Sequence, residues 1–184
     1  MLSKNIETAL NKQIRIEAES SQIYLSMACW AEVNGLEGIA KFMYAQSDEE
    51  RLHMLKLIKY VNERGGHSQI TDLNAPNTSY ETFKGMFEAL YQHELFVSNS
   101  INELVHITFE EKDYATHNFL QWYVAEQIEE EATAKTILDK INLIGDDKGG
   151  LYLFDRDIQL IAVAASAAAP AMATPTIAAR AKVP

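Results

Sequence analysis

The chain has 184 residues, with 16 Lys and Arg against 26 Asp and Glu, giving a formal net charge of −10 at pH 7. That acidic surplus disfavours gripping a phosphate backbone, so no nucleic-acid partner is expected. Apolar residues make up 47% of the chain, enough for a core of one domain. Cys29 is the only cysteine, which excludes a disulfide framework and a thiolate zinc site. The opening MLSKNIETAL lacks the basic-then-apolar pattern of a secretory signal, and the longest nearly uninterrupted apolar stretch, residues 160–169, is about half of what a membrane helix needs. A cytoplasmic protein with no membrane partner is therefore expected.

Of the four prolines only Pro76 lies before residue 160, and long proline-free stretches favour helix. The 3.6-residue period predicts four long amphipathic helices. The first spans residues 5–33, with a stripe of Ile6, Leu10, Ile14, Glu17, Tyr24, Ala28 and Ala31, and breaks at Asn34-Gly35. The second spans 37–63, with Ile39, Phe42, Gln46, Glu50, His53, Leu57 and Tyr60, and stops at Arg64-Gly65-Gly66. A turn-rich stretch of about fifteen residues follows, too long for a simple hairpin and suited to crossing the length of a bundle. The third helix spans 80–110, with Phe83, Phe87, Leu90, Glu94, Val97, Ile101 and Leu104. The fourth spans 114–144, with Leu120, Tyr123, Gln127, Glu130, Ala134, Ile137, Ile141 and Ile144. LYLFDRDIQL then reads as a short fifth helix. The fold class is all-α: a ferritin-like four-helix bundle with one long crossover between its second and third helices. Residues 1–160 form that domain. Residues 161–184 are an Ala/Pro-rich C-terminal extension, read either as a loose addition or as an apolar packing arm.

The middle of each stripe is polar. Glu17, Glu50, His53, Glu94, Gln127 and Glu130 all occupy positions that point to the core. A buried, unpaired carboxylate costs several kcal/mol, by general order of magnitude ~3–5, and facing carboxylates repel. A cation removes both penalties. The spacing is a second signal: Glu17 to Glu50 and Glu94 to Gln127 are each 33 residues, and Glu50–His53 and Gln127–Glu130 are each three. The first set therefore maps onto the second by adding 77, a pseudo-twofold pattern. Glutamates on two helices with Glu-x-x-His on another is the arrangement of di-iron carboxylate bundles.

Oxygen-rich sites with one imidazole suit iron or manganese, and two bridged cations would stand about 3.5–4 Å apart. Glu50 is the expected bridge between the two. Gln127, being neutral, would leave the second ion held more weakly. Glu49, Glu126 and Glu129 read either as a solvated acidic face or as a further cation station. Glu131 reads as solvated. Tyr24, on the face of Glu17, is either a core tyrosine or an electron donor beside iron. Trp122 is assigned to packing, and His67, His93, His106 and His117 are given no metal role.

Glu17, the EERLH segment with Glu49, Glu50 and His53, the Gln92-His93-Glu94 segment, NFLQWYVAEQIEEE, INELVHI and GLYLFDRDI together resemble the bacterial non-haem ferritins. The resemblance covers residues 1–160. It implies a cage of about twenty-four subunits that oxidises Fe(II) with dioxygen or peroxide at a ferroxidase centre and stores ferric mineral. By the same resemblance, Glu17, Glu50, His53, Glu94, Gln127 and Glu130 hold the two main irons. Glu49, Glu126, Glu129 and Glu130 hold a third, and Tyr24 is the redox-active tyrosine. Bacterioferritins are similar but place a haem-ligating Met directly after the bridging Glu, where this chain has Arg51. Haem is therefore not expected. Two other readings follow from the same residues: a di-iron oxidoreductase with iron as a fixed cofactor, and an engineered cage scaffold based on ferritin.

Overall fold

The computed structural model describes residues 1–168, and the remainder of the Ala/Pro-rich extension lies outside the described residues. Five α-helices cover most of them: α1 (Lys4–Val33), α2 (Glu37–Glu63), α3 (Phe83–Glu110), α4 (Tyr114–Ile144) and α5 (Lys148–Ala168). Side chains start three of the long ones. Ser3 Oγ accepts from Ile6 N at 3.1 Å, Thr82 Oγ1 from Gly85 N at 2.9 Å, and Asp113 Oδ1 from Thr116 N at 3.1 Å. Each satisfies a first-turn donor that has no partner within its own helix. Helix α3 begins at Phe83 rather than at Tyr80, because Thr82 is the cap. Tyr80 packs edge-on against Trp30 instead, with ring centroids 5.7 Å apart.

Helix α2 follows Leu36, whose side chain makes no capping bond. The cap comes from α5: Asp155 Oδ1 accepts from Ile39 N at 2.9 Å. The two backbones meet so closely there that a Cβ on Gly38 would stand 1.7 Å from the Asp155 carbonyl oxygen. The fifth helix is longer than its LYLFDRDIQL segment, running past Leu160 to Ala168.

Cross-helix hydrogen bonds fix the directions. Helices α2 and α4 are antiparallel, since Gln46 meets Glu130, His53 meets Tyr123, Tyr60 meets Thr116 and Arg64 meets Asp113. Helices α1 and α3 are antiparallel too, since Asn5 meets Glu111, Gln13 meets Ser100 and Ser20 meets His93. The loop after α2 travels along α1. Asn11 holds His67 and Gln69, Glu19 holds Asn74, and Ser26 donates to the Asn77 carbonyl. This is the long crossover expected of the sequence, and it carries the chain back to the other end of the bundle.

Apolar side chains gather in two clusters. One, around Met27, Met43, Phe87 and Ile137, is closed by Phe154 and Ile158 of α5. The other is built around Leu10, Leu57, Ile101 and Leu120. Burying each such side chain contributes roughly 1.5–3 kcal/mol. Between the clusters lies a polar layer of Glu17, Ser20, Ser21, Ser47, Glu50, His53, Glu94, Ser98 and Gln127, all buried. Nearly every expected stripe position is buried; Tyr60, Phe83, Glu130 and Ile144 are half-buried. Among the described residues no helix is long and apolar enough to cross a membrane.

Candidate metal centre

The polar layer brings together residues from all four long helices. From α1 comes Glu17, from α2 Glu50 and His53, from α3 Glu94, and from α4 Glu126, Gln127 and Glu130. Two groups of three emerge among the described residues. Ligand atoms of Glu17, Glu50 and His53 all lie within 4.8 Å of one another, and so do those of Glu49, His53 and Glu126. His53 Nδ1 stands 3.5 Å from Glu50 Oε2 and 4.0 Å from Glu17 Oε2.

Several donors hold the carboxylates. Gln13 Nε2, one turn before Glu17, donates to Glu17 Oε1 at 2.8 Å. The Tyr24 hydroxyl donates to Glu94 Oε1. Gln127 Nε2 donates to Glu94 Oε2 at 3.2 Å and to Ser98 Oγ at 3.3 Å. Gln127 thus meets the centre as a donor that fixes Glu94. Gln46 Nε2 donates to Glu130 Oε2 at 3.2 Å. Glu50 Oε2 is buried with no hydrogen-bond partner. An orphaned anionic oxygen at the meeting point of four acidic helices fits a bound cation.

Electrostatics agree. Burial raises Glu17 well above the ordinary carboxylate range, with the neighbouring Glu50 adding to it. Burial and then Glu94 raise Glu50, and burial and then Glu94 raise Glu130. Burial raises Glu94 even though Tyr24 and Gln127 hydrogen bonds oppose it. Without a positive charge these groups take up protons; a dication is the other way to relieve them.

Of the accessory carboxylates, Glu49 is half-buried. Glu126 is buried and raised by desolvation, with Glu129 and Glu49 contributing repulsion. Glu129 is half-buried and belongs to neither group of three. His93 pairs with Ser20 at 2.8 Å, and burial lowers it to about 4, so it stands neutral beside the centre.

Three contributors were not singled out by sequence. Gln13 precedes Glu17 by four residues and Gln46 precedes Glu50 by four, so each sits one turn up the stripe from a carboxylate it could have been suspected of serving. The third, Lys56, lies with its ammonium 3.0 Å above the Trp122 ring centroid.

A four-helix bundle with a carboxylate–histidine centre across its middle layer is the architecture of the di-iron carboxylate proteins. The family model of the ferritin-like domain matches residues 7–144, and the chain belongs to the ferritin family. It is 48% identical over 158 residues to a probable bacterial non-heme ferritin-like protein of Haemophilus influenzae, covering 86% of this chain and 96% of that one. It is 45% identical over 163 residues to the bacterial non-heme ferritin of Campylobacter jejuni, covering 89% and 98%. Among solved structures, an open pore ferritin from the hyperthermophilic archaeon Archaeoglobus fulgidus superposes with a TM-score of 0.85 at 42% identity, covering 87% of this chain and 99% of that one.

Proposed function

We propose that this chain is an iron-storage ferritin that binds Fe(II) as substrate in the middle of its bundle, oxidises it, and passes Fe(III) to the cavity of a homo-oligomeric cage. The cage is expected to hold about twenty-four copies, as the family resemblance implies. The observation that carries the reading is the unpartnered Glu50 oxygen beside Glu17 and His53. Membership of the ferritin family supports it, and so do relatives named bacterial non-heme ferritins.

In this reading Glu17, Glu50 and His53 receive one Fe(II). Glu50, Glu94 and Glu130 receive the second, with Glu50 shared. The carboxylates neutralise the incoming charge and favour the more highly charged Fe(III) product. Two Fe(II) give up one electron each, so a pair supplies both electrons that reduce dioxygen to peroxide, or peroxide to water, with protons taken from solvent. Gln13, Tyr24, Gln46 and Gln127 hold the carboxylates in place through the bonds described above. The Tyr24 phenol donates its hydrogen bond to Glu94, and the family resemblance implies that it is the redox-active tyrosine. Glu49, Glu126 and Glu129, on the open side, form a further station on the way out. Aerobic Fe(II) addition to the assembled protein, followed by ferric absorbance, is the test. Fast oxidation with many irons retained per chain is expected. Retention of only about two per chain would instead mark a fixed-cofactor oxidoreductase, and oxidation undiminished in Glu50→Ala would remove the assignment.

A further inference from the structure

One face of α2 carries Glu49, His53 and Lys56, spaced one helical turn apart. The opposing face of α4 carries Trp122 and Glu126, also one turn apart. Lys56 is thus a positive charge one turn from His53, near enough to Glu126 for that carboxylate to act on it, where an acidic cation site gains nothing from it.

The charge is fixed in position. Lys56 Nζ sits 3.0 Å above the Trp122 ring centroid and 5.7 Å from that of Tyr123, a cation–π arrangement. Trp122 is itself held edge-on by His53, with centroids 5.1 Å apart, and by Tyr123 at 4.8 Å. Its Nε1 is buried with no hydrogen-bond partner, so packing rather than a polar contact sets the ring. Burial lowers the ammonium to about 8 while the Glu126 carboxylate pushes it back up. At neutral pH the cationic form therefore predominates.

We propose that Lys56 is the built-in counter-cation of the accessory group Glu49, His53 and Glu126, and that its charge sets how weakly a dication is held there. This rests on reading the bundle centre as a metal site. With no metal bound, the ammonium offsets the carboxylates. When a dication enters, the two positive charges repel, so the accessory site loads late and releases readily, while the group that includes Glu17 and Glu50, carboxylates that do not figure in the shift of Lys56, is less affected.

The test is anaerobic Co(II) titration of the assembled full-length protein by calorimetry, with parent, Lys56→Met and Lys56→Arg chains. Each is repeated with Glu126→Gln, which identifies the accessory class of sites as the one that is lost. Lys56→Met keeps an unbranched chain over Trp122 but removes the charge, and is expected to tighten Co(II) at the accessory class by roughly tenfold. Lys56→Arg keeps the charge and is expected to match the parent. An accessory affinity unchanged in Lys56→Met overturns the inference while leaving the centre intact. Equal shifts in Met and Arg variants also overturn it, because they would mean that packing and not charge is responsible. A parent that binds no Co(II) at all overturns the centre itself, and the inference with it.

Discussion

His53 Nδ1 stands 3.5 Å from Glu50 Oε2, a buried oxygen that no hydrogen bond satisfies. Glu50 is 2% exposed and shares the layer with Glu17 and Glu94, so in the metal-free protein ionising these carboxylates where water is scarce is costly, and burial holds protons on them. The layer is a site of stored destabilisation that a cation relieves.

Replacing Glu50 with Gln should therefore separate stability from function. The amide preserves shape but removes one charge and supplies a donor toward Glu17. Without metal, the variant is expected to be as stable as the parent or more stable by about 1–2 kcal/mol, on the usual scale for buried uncompensated charge. With Co(II) present, the parent is expected to gain more thermal stability than the variant, and iron oxidation in the variant should fall by at least roughly tenfold. Thermal unfolding with and without Co(II), together with stopped-flow oxidation, checks both. A variant less stable than the parent in the absence of metal contradicts the account.

The same charges fix the direction of a pH effect. Burial raises Glu17, Glu50, Glu94 and Glu130 above the carboxylate range. A raised folded-state value means that the native state holds protons which the unfolded chain has released. Their stability is complete below the ordinary carboxylate pKa and is lost as pH rises through the raised values. Metal-free parent minus metal-free Glu50→Gln should thus give a stability difference that grows more unfavourable to the parent with rising pH. Saturating Co(II) should flatten it. Parallel melting profiles from acid to neutral pH, without metal, would be the contrary result.

Much of this was legible from residue spacing. The bounds of α2 and α4 follow from the Gly-containing stops and the apolar period, and the offset of 77 places the ligand candidates on one layer. The offset extends further than the ligands. Gln46 donates to Glu130, and the positions 77 later and 77 earlier, Tyr123 and His53, make the matching contact through the Tyr123 hydroxyl and the His53 carbonyl at 2.8 Å. What could not be read was which polar neighbour serves which carboxylate, because that depends on helix rotation and on contacts between α2 and α4. Lys56 was hidden for the same reason: a lysine on a helix resembles solvated surface until Trp122 is found beneath it. The α5 cap on α2 was equally invisible, since Asp155 and Ile39 are joined only by tertiary packing.

Tyr24 tests the second half of the centre. Its hydroxyl donates to Glu94 Oε1 while Gln127 holds the other oxygen, and Glu94 is 0% exposed. Tyr24→Phe fills nearly the same volume but leaves that oxygen without its donor. A loss of about 1–3 kcal/mol is expected for a hydrogen bond to a buried charged group, read as slower oxidation and a weaker second Co(II) among the bundle-centre sites. Since Gln13 and His53 serve the other half of the centre, binding of the first Co(II) should hold. A uniform loss at both would mean that Tyr24 supports the fold rather than Glu94.

The junction between α5 and α2 separates steric from polar contributions. A methyl at residue 38 would collide with the Asp155 carbonyl, backbone that no side-chain rotation can move aside. Gly38→Ala must therefore push α5 away, at about 1–3 kcal/mol or more for overpacking. The same shift breaks the Asp155 cap on Ile39. Asp155→Ala removes the cap without the collision and is expected to cost about 1 kcal/mol, while Asp155→Asn keeps an acceptor and should cost less. Hydrogen exchange reports both events, through the Ile39 amide and through the amides of residues 148–158. Asp155→Ala should expose the Ile39 amide alone, whereas Gly38→Ala should expose it together with α5 and open the cluster that Phe154 and Ile158 close. If Gly38→Ala left the α5 amides as protected as in the parent, the close approach at Asp155 would not be what seats the fifth helix.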